Sequence, residues 1–178
     1  MNNCQLKNGQ TLVFREANKQ DASIIIDYLN KVGTETDNLT FGEGGFGISA
    51  DREASFIESI SKSDNQLMLC AFIEGKLVGQ LGFTGGSRPR IKHVGEFGVT
   101  VLKDYWNQGI GTAALEQLIK WAKASNVVRK INMRVRSDNY GAIHVYEKLR
   151  FHHDGLITRD FYIGGKFYDS IHMGLEID

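Results

Sequence analysis

The stretch from Tyr105 to Ala122 reads YWNQGIGTAALEQLIKWA, and its chemistry lies in Gly109-Ile110-Gly111, a glycine-x-glycine turn running straight into an amphipathic helix. Two missing Cβ atoms let a ligand approach the backbone and permit positive φ. The helix behind them offers unpaired amides and the positive end of its dipole, a ready anion site. Leu115, Leu118, Ile119 and Ala122 recur at helical spacing, so one face packs on a sheet. A pyrophosphate suits such a turn, and both NAD and coenzyme A carry one.

The two cofactors make different demands on the rest of the chain. Gly109-x-Gly111-x-x-Ala114 also fits the dinucleotide fingerprint, which expects an acid about 20 residues on to take the ribose hydroxyls. That offset holds Val128, Arg129 and Lys130. No GK[ST] phosphate loop is present, and the turn follows a meander with no second βαβ half. A nicotinamide-dependent oxidoreductase is therefore the poorer reading.

The elements around the turn come from hydrophobic period and turn residues. Thr11 to Arg15 alternates as a strand. Asp21 is expected to cap a helix through Ile24, Ile25, Tyr28 and Leu29 that stops near Gly33. Residues 33–48 read as a glycine-rich, acidic loop. A helix follows from Ser49 to about Ser61, with a serine-to-glutamate spacing close to a capping box. Gln66 to Ile73 and Lys76 to Thr84 form a hairpin over Glu74-Gly75, and Val94 to Val101 is a further strand. Lys130 to Val135 is a short strand, Asn139 to Leu149 a helix, and Gly155–Ile163 and Lys166–Ile177 are strands joined by Gly164-Gly165. The order β-α-α-β-β-β-α-β-α-β-β predicts a mixed α/β (α+β) domain over residues 1–178, its sheet mostly antiparallel with one parallel βαβ crossover around 94–135.

Trp106-Asn107-Gln108-Gly109-Ile110-Gly111, with the lead-in EFGVTVLKDYW, resembles the coenzyme-binding signature Q/R-x-x-G-x-G/A of the GNAT superfamily of N-acetyltransferases. Asn139 to Phe151, NYGAIHVYEKLRF, resembles that family's N-x-x-A-x-x-x-Y-x-K-x-G-F helix. Trp106 stands where arginine or glutamine is usual, and Arg150 replaces the glycine that ends the helix. The resemblance runs from about residue 11 to the end. It implies acetyl-CoA as co-substrate and transfer of its acetyl group to an amine. A non-catalytic acyl-CoA-binding module is the alternative.

The resemblance assigns roles residue by residue. Backbone groups of Val99, Thr100 and Val101 would pair with the pantetheine arm, the Val99 amide also reaching the thioester oxygen. The pyrophosphate would lie on Trp106, Asn107, Gln108, Gly109, Ile110, Gly111 and Thr112, mainly on amides from Gln108 to Thr112. Asn139 would lie beside the pantetheine chain and Tyr146 beside the sulfur, as general acid for the departing thiolate. Seven residues apart on one helix, the two share a face. A protonated amine needs a base, and Glu96 is the candidate, acting through water. It shares a face with Gly98, opposite Val99 and Val101; a solvated or ion-paired glutamate facing His93 or Arg90 is the competing reading.

The acceptor is less marked. Glu35, Asp37, Glu43, Phe41 and Phe46 in the first long loop could admit a cationic amine. Gly155, Arg159, Gly165, Asp169 and Met173 are placed much as in acetyltransferases of polyamines and of ribosomal-protein N-termini, which implies a small-molecule amine or a peptide N-terminus. Members of that group often form homodimers. Lys+Arg and Asp+Glu are both 21, so bulk attraction to nucleic acid is unsupported. No apolar run approaches the ~20 residues of a membrane span, and MNNCQLKNGQ lacks a signal-peptide core, so a cytoplasmic protein is expected. The five histidines make no HExxH-like pattern, which assigns no metal. Cys4 and Cys70 make no CxxC, and Cys70 within LMLCAFI reads as a small buried apolar residue.

Overall fold

The computed structural model describes residues 2–6, 8–45 and 47–178. Among them, eight strands form one sheet in the order β1-β2-β3-β4-β5-β6-β8-β7. The strands are β1 (Asn2–Gln5), β2 (Thr11–Glu16), β3 (Gln66–Ile73), β4 (Lys76–Gly85), β5 (Val94–Val101), β6 (Lys130–Arg136), β7 (His152–Ile163) and β8 (Lys166–Glu176). The helices are α1 (Ala22–Glu35), α2 (Ala50–Ser61), α3 (Ile110–Ser125) and α4 (Tyr140–Lys148). Every neighbouring pair is antiparallel except β5 and β6, which run parallel as the crossover through α3 requires.

Local sequence explains most boundaries. Glu74 and Gly75 both have positive φ, as do Gly164 and Gly165, the geometry of two-residue hairpin turns. Ser49 caps α2, its hydroxyl accepting from Arg52 N at 3.4 Å; Arg52 holds the third helical position, so Glu53 cannot close a capping box. At α1 the expected cap is displaced. Asn18 caps a 3-10 turn over Lys19–Asp21, and the Asp21 side chain accepts from Asn18 N and forks onto Arg15 at 2.6 and 2.7 Å. That pairing holds the Asp21 carboxyl below the usual carboxylate range. Gly33 does not stop α1, which runs on to Glu35; a Cβ there would strike the Gly42 carbonyl, so this glycine serves a close approach.

Two cores lie on opposite sheet faces. One collects Ile25, Tyr28, Leu29 and Val32 of α1 with Ile57 and Ile60 of α2 over Met68, Cys70 and Phe72 of β3. The other joins α3 and α4 to β2–β6. Ile110, Leu115 and Leu118 of α3 are almost wholly buried, and each contributes about 1.5–3 kcal/mol. The glycine turn thus rides on a firmly docked helix.

One irregularity matters most for function. β5 and β6 pair only over Val94–Glu96 and Lys130–Asn132. Beyond Glu96, β5 stays with β4 as far as Val101, while β6 stays with β8 as far as Arg136. The two strands therefore part in mid-sheet.

Candidate active site

Gly109 is the N-cap of α3 in a left-handed conformation (φ 85°, ψ 4°), and no side chain caps the helix. The first intrahelical bond is Ala113 N to Gly109 O at 2.9 Å, which leaves the amides of Ile110, Gly111 and Thr112 without helix partners. A Cβ on Gly109 or Gly111 would meet no atom within 4 Å, so the space outside the turn is open. Only Gly109 needs glycine for its φ; Gly111 lies inside the helix. Asn107 also has positive φ, 60°. The side chains of Trp106 and Gln108 turn back to the protein. The Trp106 indole donates to Val101 O at 2.7 Å, and Gln108 donates to Asp104 O at 3.3 Å while accepting from Asn8 at 3.2 Å. An anion here meets main chain, as the glycine pattern implies.

The parted strands extend this backbone surface. Leu102 N donates to Val78 O at 2.9 Å, which fixes the phase of the β4–β5 ladder. By alternation, Gly98 and Thr100 turn their backbone groups to β4, whereas Val99 and Val101 turn theirs toward the opening. The Thr100 backbone is thereby removed from the opening, and its hydroxyl oxygen accepts from Tyr28 at 2.9 Å on the α1 face.

Tyr146 closes the other side. Its ring, 7% exposed, packs against Phe97 and Phe151 with centroids 5.9 and 6.1 Å apart. The helix end beneath it is a Schellman arrangement: Phe151 N bonds Tyr146 O at 3.0 Å and Arg150 N bonds Glu147 O at 2.9 Å. Arg150 takes the left-handed position at φ 68°, where the family signature has glycine. Burial pushes the Tyr146 hydroxyl up to about 12, so it keeps its proton at neutral pH. Asn139 is not within the helix; it is the N-cap, its oxygen accepting from Ala142 N at 3.3 Å.

Glu96 occupies the opposite face of β5. Its partner is neither His93 nor Arg90 but Arg134 of β6, Nε to Oε1 at 3.2 Å. Arg134 also binds Asp160 of β7 at 3.3 Å, and Asp160 accepts from the buried Ser170 hydroxyl at 2.6 Å. Phe97 and Glu96 are adjacent with side chains on opposite faces, so Tyr146 and Glu96 flank the opening from its two sides. Arg134 and Asp160 border a cleft of about 300 Å³ that Asp37, Thr40, Phe41 and Phe161 also line.

Of the expected acceptor residues, Asp37 and Phe41 line this cleft; Glu43 is exposed outside it, and Glu35 binds Lys103 N instead. Phe46 lies outside the described residues. In the tail, Arg159 N bonds Asp169, Gly165 makes a turn, and Met173 is core, so these residues shape the hairpin. Arg134 and Asp160 escaped the sequence reading. The alternation of INMRV does put Arg134 on the face of Asn132, whose strand neighbour is Glu96.

Among the described residues no cluster of His, Cys, Asp or Glu could hold a metal ion, and no helix is long and apolar enough to cross a membrane. The sheet is not doubly wound, which removes the structural basis for a nicotinamide site. An acetyltransferase of the GNAT family from Streptococcus pneumoniae is 36% identical and superposes with a TM-score of 0.91 over 94% of this chain and 99% of that one. The L-amino acid N-acetyltransferase AaaT of Escherichia coli K12 is 32% identical over 61% of this chain and 65% of its own length. The spermidine N(1)-acetyltransferase of the same strain is 29% identical over 47% of this chain and 46% of its own. The chain thus spans from about half to about two thirds of these curated relatives. The model of the acetyltransferase (GNAT) family matches residues 35–151, from the last turn of α1 through the glycine turn to the end of the α4 cap. On a match covering well over half of its length, the chain belongs to the GNAT acetyltransferase family.

Proposed function

We propose that this protein, as a single domain over residues 1–178, transfers an acetyl group from acetyl-CoA to the primary amine of a small molecule or a peptide N-terminus. The observation that carries this reading is the parting of β5 and β6 beside an uncapped glycine turn, with Tyr146 on one side of the opening and Glu96 on the other. Acetyl-CoA is the family's co-substrate and supplies an acetyl group activated as a thioester. The residues present fit it: open amides at 110–112 suit a diphosphate, and the Val99 backbone with the Val101 amide suits an amide-bearing arm, the Val101 carbonyl being taken by the Trp106 indole.

In this reading the chain binds first through main chain, with amides from Gln108 to Thr112 holding negative charge and Val99 donating toward a carbonyl oxygen. The Asn139 amide nitrogen, which the cap does not use, would be available to the same arm. Tyr146 holds a proton at its hydroxyl, kept there by burial, for delivery to a departing thiolate. Glu96 accepts, through water, the proton that the ammonium sheds before its free amine attacks, with Arg134 fixing the carboxylate. Asp160 and Asp37 against the single Arg134 leave the cleft lining net negative, which favours a cationic amine.

A homodimer and a cytoplasmic location belong to the same proposal. β7 is a sheet edge, and Leu156, Tyr162 and Phe167 on its hairpin are more than half exposed.

The test begins with thermal unfolding beside excess acetyl-CoA or NAD(H). A ligand at 100 times its dissociation constant stabilises by about 2.7 kcal/mol, a shift of several degrees. Acetyl-CoA alone is expected to give it; a shift with NAD(H) alone overturns the proposal. Thiol release is then followed with L-amino acids, spermidine and a free peptide N-terminus, using Tyr146→Phe as control. Acetyl-CoA binding without release on any amine would favour the non-catalytic module.

A further inference from the structure

Two contacts, two residues apart where the chain leaves α1, reach opposite sides of the opening between β5 and β6. The carboxylate of Glu35, the last residue of α1, accepts a hydrogen bond from Lys103 N at 2.6 Å. Lys103 begins the 3-10 turn over residues 103–105 that joins β5 to the glycine turn. The carbonyl of Asp37 accepts from Arg136 Nη1 at 2.9 Å, and Arg136 is the last residue of β6.

Each anchor has further partners. Arg136 is 9% exposed, forks onto Asp138 at 3.0 and 2.6 Å, and places its Cζ 4.0 Å from the Tyr168 ring centroid. On the β5 side, Tyr28 lies about two turns before Glu35 on the same helix and binds Thr100, so α1 is bonded both to β5 and to the turn that follows it. Downstream of Asp37 the chain becomes the wall of the amine cleft, through Thr40 and Phe41. Gly42 packs back onto Gly33 of α1, which leaves that wall short and fastened at both ends.

We infer that residues 35–37 form a strap joining the coenzyme turn to the amine cleft, with Glu35 as a positioning residue that carries coenzyme occupancy to the wall at 36–42. The inference rests on the acetyl-CoA reading of the turn. A ligand that fixes residues 108–112 restrains the lead-in at Lys103, and with it the Glu35 carboxylate. Asp37 is already tied to Arg136, so the segment between the two loses the freedom it had on one side only. Ordering one site lowers the cost of ordering the other. The effect is reciprocal, so an amine seated on the wall favours the coenzyme by the same factor.

Hydrogen–deuterium exchange on the full chain, with free coenzyme A as the probe, tests this without knowledge of the amine. In the wild type, coenzyme A is expected to slow exchange at 108–113 and, severalfold, at 36–42. Glu35→Ala keeps the first effect and loses the second. Glu35→Asp, one methylene too short for the Lys103 amide, behaves likewise and serves should Glu35→Ala fold poorly. Glu35→Gln retains an acceptor oxygen and keeps both effects. Exchange across β3 and β4 reports that each variant is folded. Protection at 108–113 with no change at 36–42, or protection at 36–42 that survives in Glu35→Ala and Glu35→Asp, overturns the strap and leaves the coenzyme site standing. No protection at 108–113 in the wild type overturns the coenzyme reading and the strap with it.

Discussion

The two sides of the opening are made of different material. Toward α3 and α4 the surface is main chain: three helix amides behind Gly109, the strand edge of Val99 and Val101, and one hydroxyl from Tyr146. Toward α1 and α2 it is side chain: Arg134 and Asp160 share a cleft with Asp37 and Phe41 from a loop far away in sequence, and Glu96 pairs with Arg134 from a third strand. A backbone site serves any sequence that keeps its few φ angles, and so suits a ligand common to a whole family. A side-chain site can be rewritten one residue at a time without moving a strand, which suits a partner that differs from one relative to the next.

Mutations can break that division or sharpen it. The largest effect is expected from Tyr146→Phe, which lowers kcat by about 10²–10⁴ and leaves acetyl-CoA affinity unchanged in calorimetry. Because its hydroxyl titrates near 12, wild-type turnover shows no loss from this group through the neutral and mildly alkaline range; full turnover in the phenylalanine variant removes the acid role. Next comes Glu96→Gln, expected to lower kcat by about 10² across pH. A variant that keeps its activity leaves Glu96 only an ion-pair partner of Arg134.

Gly109→Val forces a branched side chain to φ 85° and is expected to weaken acetyl-CoA about tenfold, the equivalent of 1.4 kcal/mol. Asp160→Asn is its counterpart. It is expected to raise KM for the amine about fivefold through loss of one solvent-screened charge and to leave acetyl-CoA binding alone. Should either substitution move both ligands equally, the two surfaces are not separable. The smallest effect is expected from Arg150→Gly, which relieves a left-handed arginine and raises unfolding stability by about 1 kcal/mol with turnover nearly unchanged. A large loss of turnover would make Arg150 part of the site.

Legibility in the sequence follows the same division. Hairpins at Glu74-Gly75 and Gly164-Gly165, the glycine turn and the α3 stripe were readable because each depends on neighbours within a few residues. The coenzyme side inherits that legibility, since its groups hang on local φ angles. β1 was missed: NNCQ shows no alternation, and it is a strand because β2 offers an edge to pair with. Asp21 has the residue type and position of a cap, and the competing attraction of Arg15 takes its carboxylate. Arg134 and Asp160 were missed for a tertiary reason. Twenty-six residues separate them, and only the register through β8 brings β6 and β7 onto one face. No local pattern encodes that.

The short seam between β5 and β6 has a consequence for dividing the molecule. Five strands lie on one side and three on the other, each set with its own antiparallel ladders, and three residue pairs join them. Asn126, exposed and left-handed just after α3, is a natural place to interrupt the chain. The piece before it would hold the glycine turn and Glu96, the piece after it Tyr146, Arg134 and Asp160. Neither fragment carries both Tyr146 and Glu96, the proposed acid and base, so on that proposal turnover in a mixture of the two would appear only on reassembly, making the enzyme a reporter of its own complementation.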